Sequence, residues 1–420
     1  MKEIIVIGGG LMGTSVAWKL AQQGAKVRLL EKQGAVYDQG SSYGAARISR
    51  SLGPKWDVFS YVHNQTVQET KELIQFLNKQ KGIGKHQIED VYRTSPVSYL
   101  YHQSQQEQID QLNFKKQRQD YKVAAGQMAL AQFGAQLSAN EILVREYRKH
   151  SGTINPAALI EKLRLGIIAK KGRISFNSRV NHIVKKADTF QLTILDTTTS
   201  QQHTMKAKKI VVAAGPYNPF LLRTICPGLS SLITPKRVLL GYFRITKKRY
   251  RQLTSAEREN ILAAQPAFSQ IGKEYFSMIE KFDVDGSPIF KAGGHQIRHG
   301  INELDDVWTM QASKEELKWI KKQFLQYHQM LGINLSKKDV KLVDAYNCVY
   351  SETPNNIPIV TYLKDKKGNL DKRLVLVGGM SGIGAKGCLG YGKIAANLIL
   401  DKKGDNTKIY KKAVKVFGNI

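Results

Sequence analysis

The chain has 420 residues, 42% of them hydrophobic, more than a single core usually holds, so two globular domains are expected. Its formal charge of +30 is spread over small clusters such as Lys115-Lys116, Lys247-Lys248-Arg249 and Lys411-Lys412 without an RNA-binding signature, so a solvated basic surface or a small anionic ligand accounts for it before nucleic acid does. Cys226, Cys348 and Cys388 show no CxxC spacing, which excludes a disulfide framework or structural zinc site, and no stretch reaches the roughly 20 apolar residues of a membrane span. With an N-terminus that enters a strand directly, these features lead us to expect a cytoplasmic protein.

Residues 4–7 form a continuous apolar run, the pattern of a parallel strand covered on both faces, and lead straight into Gly8-Gly9-Gly10-Leu11-Met12-Gly13. This is GxGxxG between a strand and a helix. Gly8 permits the turn, Gly10 lets backbone amides approach a pyrophosphate at the helix N-terminus, and Gly13 lets the helix pack close to the strand. A second apolar strand over residues 26–30 ends at Glu31-Lys32, where the acid can accept hydrogen bonds from an adenosine ribose. FAD and NAD share this fingerprint, so later residues must separate them.

The loop Gly40-Ser41-Ser42-Tyr43-Gly44-Ala45-Ala46-Arg47-Ile48-Ser49-Arg50 combines small residues with two arginines three apart, the spacing of one face of a short helix. Ser41 and Ser42 can bond a phosphate or flavin edge, and the arginines can meet an anion. A helix is expected over 58–77. The pattern then becomes strand-like over 91–101 and Gln-rich and helical to about 120, marking an inserted second domain. Asn155 and Pro156 open another helix as cap and first residue, Gly172 closes it, and short strands follow at 173–176 and 180–184, the latter beginning at Val180. Residues 208–215 return to the first domain as a buried strand that sets Ala213, Ala214 and Gly215 against a dinucleotide. Strands at 235–246, 275–279, 287–296 and 307–311 give the second domain an antiparallel sheet, with an amphipathic helix over 314–330. Finally, the strand at 374–377 runs through Gly379, Ser381, Gly382 and Gly384 into a helix near Lys386 and Gly387. This second dipole-bearing terminus suits the pyrimidine edge of a flavin, and favours FAD over NAD.

The motifs GGGLMG, GSSYGAARISR, SGTINP, KKIVVAAGPYN, CVYSETP and GGMSGIGAKG occur in this order over almost the whole chain. Together they resemble the D-amino-acid-oxidase-type flavoprotein superfamily, and within it the monomeric sarcosine oxidase and N-methyltryptophan oxidase group. The resemblance implies an α/β fold: a discontinuous Rossmann-like FAD-binding domain (1–90, 150–232 and 340–420) with an inserted α+β substrate domain (91–149 and 233–339) built on an antiparallel sheet. It places Arg47 near the flavin face, Arg50 and Lys386 as a clamp on a substrate carboxylate, Tyr350 in the active site, and Cys348 where sarcosine oxidases attach FAD through sulfur. A buried, unreactive thiol is the other reading of Cys348. Two positions depart from the pattern. An ungapped match puts Gln296 where the family has a lysine beneath the flavin, and His299 one position from its active-site histidine; Asp285 stands where the family has a tyrosine before Gly-x-Pro.

The expected function is FAD-dependent oxidation of the C–N bond of a secondary or N-substituted amino acid, sarcosine-like or cyclic, to an imine that then hydrolyses. The expected enzyme is a monomer acting on a small anionic amine, without metal or nucleic acid. A fixed cation beside the reacting atoms lowers the barrier to electron transfer to O₂. Gln296 cannot supply one, which points to an acceptor other than oxygen unless a register shift or bulge brings Lys291 or Arg298 to the flavin. The remaining alternatives are a basic flavoprotein acting on an RNA-linked substrate and an inactive FAD-binding protein.

Overall fold

A computed structural model describes residues 2–36, 39–50, 57–111, 120–269, 275–294, 301, 303–364 and 368–419. Its nucleotide half is a six-stranded sheet in the order Ile359–Lys364, Leu370–Gly378, Lys209–Val212, Ile4–Ile7, Val27–Leu30, Arg173–Ser175, parallel throughout except for the pairing of the first two. The unbroken apolar run of Ile4–Ile7 follows from its surroundings. Ile4 and Val6 pack with Trp18, Leu163 and Leu389 on the helical side, while Ile5 and Ile7 pack with Ile183, Phe190 and Ile194 on the other. That second side is covered by the antiparallel strands Ser178–Lys185, Phe190–Asp196 and Gln202–Ala207. Burying each large side chain here contributes about 1.5–3 kcal/mol.

The helical side carries Leu11–Gln22, Val58–Leu77, Pro156–Ala169 and Gly384–Ile399. Asn155 Oδ1 accepts a hydrogen bond from the Ala158 amide at 3.1 Å, so the Asn-Pro start works as a cap. A buried ion pair, Lys19 to Glu69 at 2.7 Å, joins the first two of these helices.

The second sheet has eight strands in the order Val340–Glu352, Thr234–Ile245, Pro288–Gly293, Phe276–Phe282, Ala267–Ser269, Val97–His102, Glu141–Glu146, Tyr121–Ala125. It is antiparallel except between Ala267–Ser269 and Val97–His102, which run parallel. Val340–Glu352 pairs along its length with Thr234–Ile245 and so belongs to this sheet. One face stacks on helix Lys314–Met330 through Phe243, Phe290 and Phe324, with ring centroids 5.6 and 5.2 Å apart. The other face presents Leu240, Phe276, Met278 and Cys348 toward the nucleotide half.

Two expected elements differ. Arg47–Ser49 is a strand, paired antiparallel with Gly152–Ile154, rather than a helix. Residues 304–308 form a 3₁₀ turn where a strand was expected, because Asn347 Nδ2 donates to the carbonyls of Val307 (3.0 Å) and Met310 (2.6 Å) and so takes acceptors that a strand partner would use.

Candidate active site

Between the two sheets lies a cleft of about 1750 Å³, counted out to open solvent. Its nucleotide end is made largely of backbone. Gly8, Gly10, Leu11 and Met12 line it; the helix that starts at Leu11 has no side-chain cap from Gly10, and its first amide donates instead to Ser42 Oγ of the neighbouring loop at 3.2 Å, leaving the amides of Met12 and Gly13 to meet an anion. A Cβ on Gly13 would lie 1.8 Å from the Gly8 carbonyl oxygen, so only glycine allows this approach of helix to strand. Glu31, also in the wall, accepts hydrogen bonds from the amides of Gly9 (2.5 Å) and Gln33 (2.9 Å). Val180, Ala214 and Gly215 complete this end. Across its mouth, Asp305 accepts from Tyr217 Oη at 2.5 Å and pairs with Lys32 (3.3 Å) and Arg179 (3.1 Å), tying the 3₁₀ turn of the substrate sheet to the nucleotide half.

The inner end is made of side chains. Arg47 lines the cleft but spends its guanidinium on the carbonyls of Ala46 (2.9 Å), Ser41 (3.1 Å) and Tyr43 (2.6 Å), holding its own loop in shape. Ser41 Oγ donates to the Val349 carbonyl at 2.5 Å, fastening that loop to the strand that bears Cys348 and Tyr350. Lys291 enters the same wall, 1% exposed, and donates to Glu280 at 2.5 Å and to the Ala46 carbonyl. Burial, aided by the charge of Arg47 and opposed by Glu280, lowers its ammonium to about 7. Cys348 is pushed up by burial, with Arg47 and Lys291 opposing. Uncapped by its own N-cap residue Ile383, the helix from Gly384 brings a second free terminus to the cleft at Gly382 and Gly384, where Tyr350 packs against Gly382.

Residues 3–398 match the family described as DAO, FAD dependent oxidoreductase. The chain belongs to this family. Relatives include a probable sarcosine oxidase of Arabidopsis thaliana, 23% identical over 95% of this chain and 88% of that protein, and the human peroxisomal sarcosine oxidase, 23% identical over 58% and 57%. Among solved structures, the amino acid oxidase NikD superposes with a TM-score of 0.72 at 16% identity, covering 100% of this chain and 98% of that one. Glycine oxidase of Geobacillus kaustophilus gives 0.70 at 14% identity, over 100% and 98%.

As a DAO enzyme the protein uses FAD, and the cleft fits it: two helix N-termini without a cap from their own N-cap residues meet it, and a single Cβ at Gly13 would disrupt the strand-to-helix turn in its wall. Of the residues expected to hold the cofactor, Gly8, Gly10, Leu11, Met12, Glu31, Lys32, Ser41, Ser42, Arg47, Val180, Ala214, Gly215, Cys348, Gly382 and Gly384 line the cleft, as does Tyr350. Gly13, Gly379 and Ser381 shape it from behind, Ser381 by donating its amide to the Ser351 carbonyl at 2.9 Å. Arg50 and Lys386 stand outside the lining. The strand that replaced the expected helix explains Arg50, because residues three apart in a strand point to opposite faces. Its guanidinium lies over Phe268 (4.6 Å) and Tyr99 (5.5 Å). Lys386 is buried near it; burial, with Arg50 adding, drives its ammonium well below the usual lysine range, opposed by Glu146.

Gln296 and His299 lie outside the described residues. Of the two alternatives open in the sequence, Lys291 lines the cleft, and Arg298 also lies outside the described residues. Asp285 sits in the hairpin turn, bonded to Ser287 and paired with Lys247 at 3.3 Å, and is not part of the cleft. Sequence reasoning missed Glu280 and Trp308, which lie in no motif, and Tyr217, which lies within KKIVVAAGPYN but was given no role. The signal for Glu280 was an acid at strand alternation from Met278, easily taken for a solvent-facing residue.

Proposed function

We propose that this DAO enzyme is an oxidase of small secondary or N-substituted amino acids, sarcosine-like or cyclic, with O₂ as electron acceptor. The observation that carries the reading is the pairing of the Arg50 guanidinium with the buried Lys386 amine, beside one another just beyond the cleft wall. A carboxylate between them relieves their repulsion and restores the proton that burial strips from Lys386. Anchored there, a substrate presents its amine-bearing carbon to the cleft, where Phe276, Met278 and Trp308 exclude water. FAD supplies the acceptor for the hydride that leaves that carbon, and the resulting imine hydrolyses. Lys291 provides the fixed charge that favours electron transfer to O₂.

The division of labour we propose follows the sheets, with residues 1–90, 150–232 and 353–420 holding FAD and the remainder covering the substrate. Anaerobic titration of the holoprotein with N-methyl and cyclic amino acids tests the reading. The flavin band should bleach with these and not with their amides. Bleaching by dithionite alone would reject it.

We also propose that Cys348 carries FAD covalently, because its sulfur lines the cleft wall beside Arg47 and Lys291, whose charges oppose the burial that raises the thiol. Acid precipitation should leave flavin on the Cys348 peptide, and Cys348→Ser should release it to the supernatant. Free flavin from the wild-type protein would refute the linkage.

A further inference from the structure

Glu280 is a buried acid with no place in the mechanism above, and its position is built. In the pairing of Phe276–Phe282 with Pro288–Gly293, Met278 faces Lys291 and Ile279 faces Phe290, but Lys281 faces Ile289. Glu280 is therefore the extra residue of a β-bulge, a device that re-aims a side chain locally. The side chain is 6% exposed. One oxygen accepts from the Ala45 amide at 2.6 Å and the other from Lys291 at 2.5 Å. The site also requires a glycine: a Cβ on Gly44, whose φ is +103°, would lie 2.9 Å from Glu280 Oε1 and 3.4 Å from Lys291 Nζ.

We propose that Glu280 is a positioning residue for Lys291, holding its ammonium in the cleft wall and keeping it protonated beside Arg47. This rests on the oxygen role read for Lys291. The charged and titratable groups around the lysine are Glu280 on its own hairpin, Arg47 and Tyr43 on the loop, Tyr242 on the neighbouring strand and Cys348 on the strand beyond. Burial raises both Tyr242 and Cys348, which keeps them neutral. Among the described residues, the salt-bridge partner of Lys291 is Glu280. Without that carboxylate, the lysine faces Arg47 uncompensated and surrenders its proton at lower pH. The pair also leaves the net charge beside the flavin unchanged, whereas Glu280→Gln adds one positive charge for as long as Lys291 stays protonated.

The test uses holoprotein of wild type, Glu280→Gln, Glu280→Asp and Lys291→Met. Two quantities are followed against pH: reoxidation of dithionite-reduced enzyme by O₂, and the midpoint potential of bound FAD. Wild-type reoxidation should fall as pH rises through about 7. In Glu280→Gln the fall should move to lower pH by about one to three units, and Glu280→Asp should restore it. The potential of Glu280→Gln should exceed that of wild type below its own break, match it between the two breaks, and exceed it again above about pH 7, where wild type keeps the carboxylate without the ammonium. An unmoved break with matching potentials at every pH would overturn the proposal and leave Glu280 a packing residue. If Lys291→Met reoxidises as fast as wild type, the oxygen role of the lysine fails, while the potentials still decide whether Glu280 controls its charge. Should Glu280→Gln fail to fold, Glu280→Asp with an unchanged break supports charge pairing and a displaced one opposes it.

Discussion

At the nucleotide end of the cleft, the wall is drawn largely in backbone: two helix termini whose own N-cap residues offer no side-chain cap, and a helix so close to its strand that position 13 admits no side chain. At the inner end, Arg47, Glu280, Lys291 and Cys348 converge from four strands, and the wall is drawn in side chains. The first end responds to shape and barely to charge. The second responds to charge and tolerates shape within limits. A family that changes substrates over a constant cofactor benefits from this separation, because a side chain can be exchanged without disturbing a backbone cradle.

The largest effect expected is at the cradle. Gly13→Ala places a methyl 1.8 Å from the Gly8 oxygen and must push the helix off the strand. A loss of about 3 kcal/mol or more in stability is expected, with essentially no flavin retained. The flavin-to-protein absorbance ratio and the melting temperature report it, and normal loading would show that the cradle accommodates shape after all. Next come Arg50→Ala and Lys386→Ala, each expected to weaken carboxylate substrates by about 1.5–3 kcal/mol while flavin content stays near wild type. Steady-state kinetics with an amino acid and its amide measure this; if wild-type enzyme treats the two alike, charge does not rule the inner end. The smallest effect belongs to the mouth. Asp305 and its partners Lys32 and Arg179 are partly exposed, so Asp305→Asn should change FAD affinity by less than about 1 kcal/mol, and less still at high salt. Fluorescence quenching on FAD addition to apoprotein, with Cys348→Ser as background, gives the value; a tenfold loss would make the mouth a determinant of binding.

The same contrast decides what could be read from the sequence. Backbone sites leave contiguous traces, since a tight turn, a close approach and a helix start demand glycines at fixed spacing, and these motifs led to the cleft. Helix 314–330 was likewise legible from its amphipathic spacing, and Ile320, Phe324 and Tyr327 are buried as that pattern requires. Side-chain sites leave no such trace. Counting without gaps could not single out Lys291 for the cleft wall, because strand register depends on turn length and bulges, and the bulge at Glu280 has no signature of its own. The two arginines of the serine-rich loop looked helical because i, i+3 spacing is ambiguous in a short segment. Pairing with Gly152–Ile154, a tertiary contact, settled it and separated their roles.

Lys209–Val212 pairs in parallel with Ile4–Ile7 on one side and Leu370–Gly378 on the other. A ribosome delivers these strands far apart in time. Until the last has emerged, the apolar edge of Lys209–Val212 is open to any neighbouring chain, a liability that falls to chaperones. The second helix terminus of the cofactor site follows that strand, so the site is complete only once both have been made. A chain that stops before Leu370 has half a cofactor site and an uncovered strand edge, and is expected to meet proteolysis or aggregation rather than to keep partial activity.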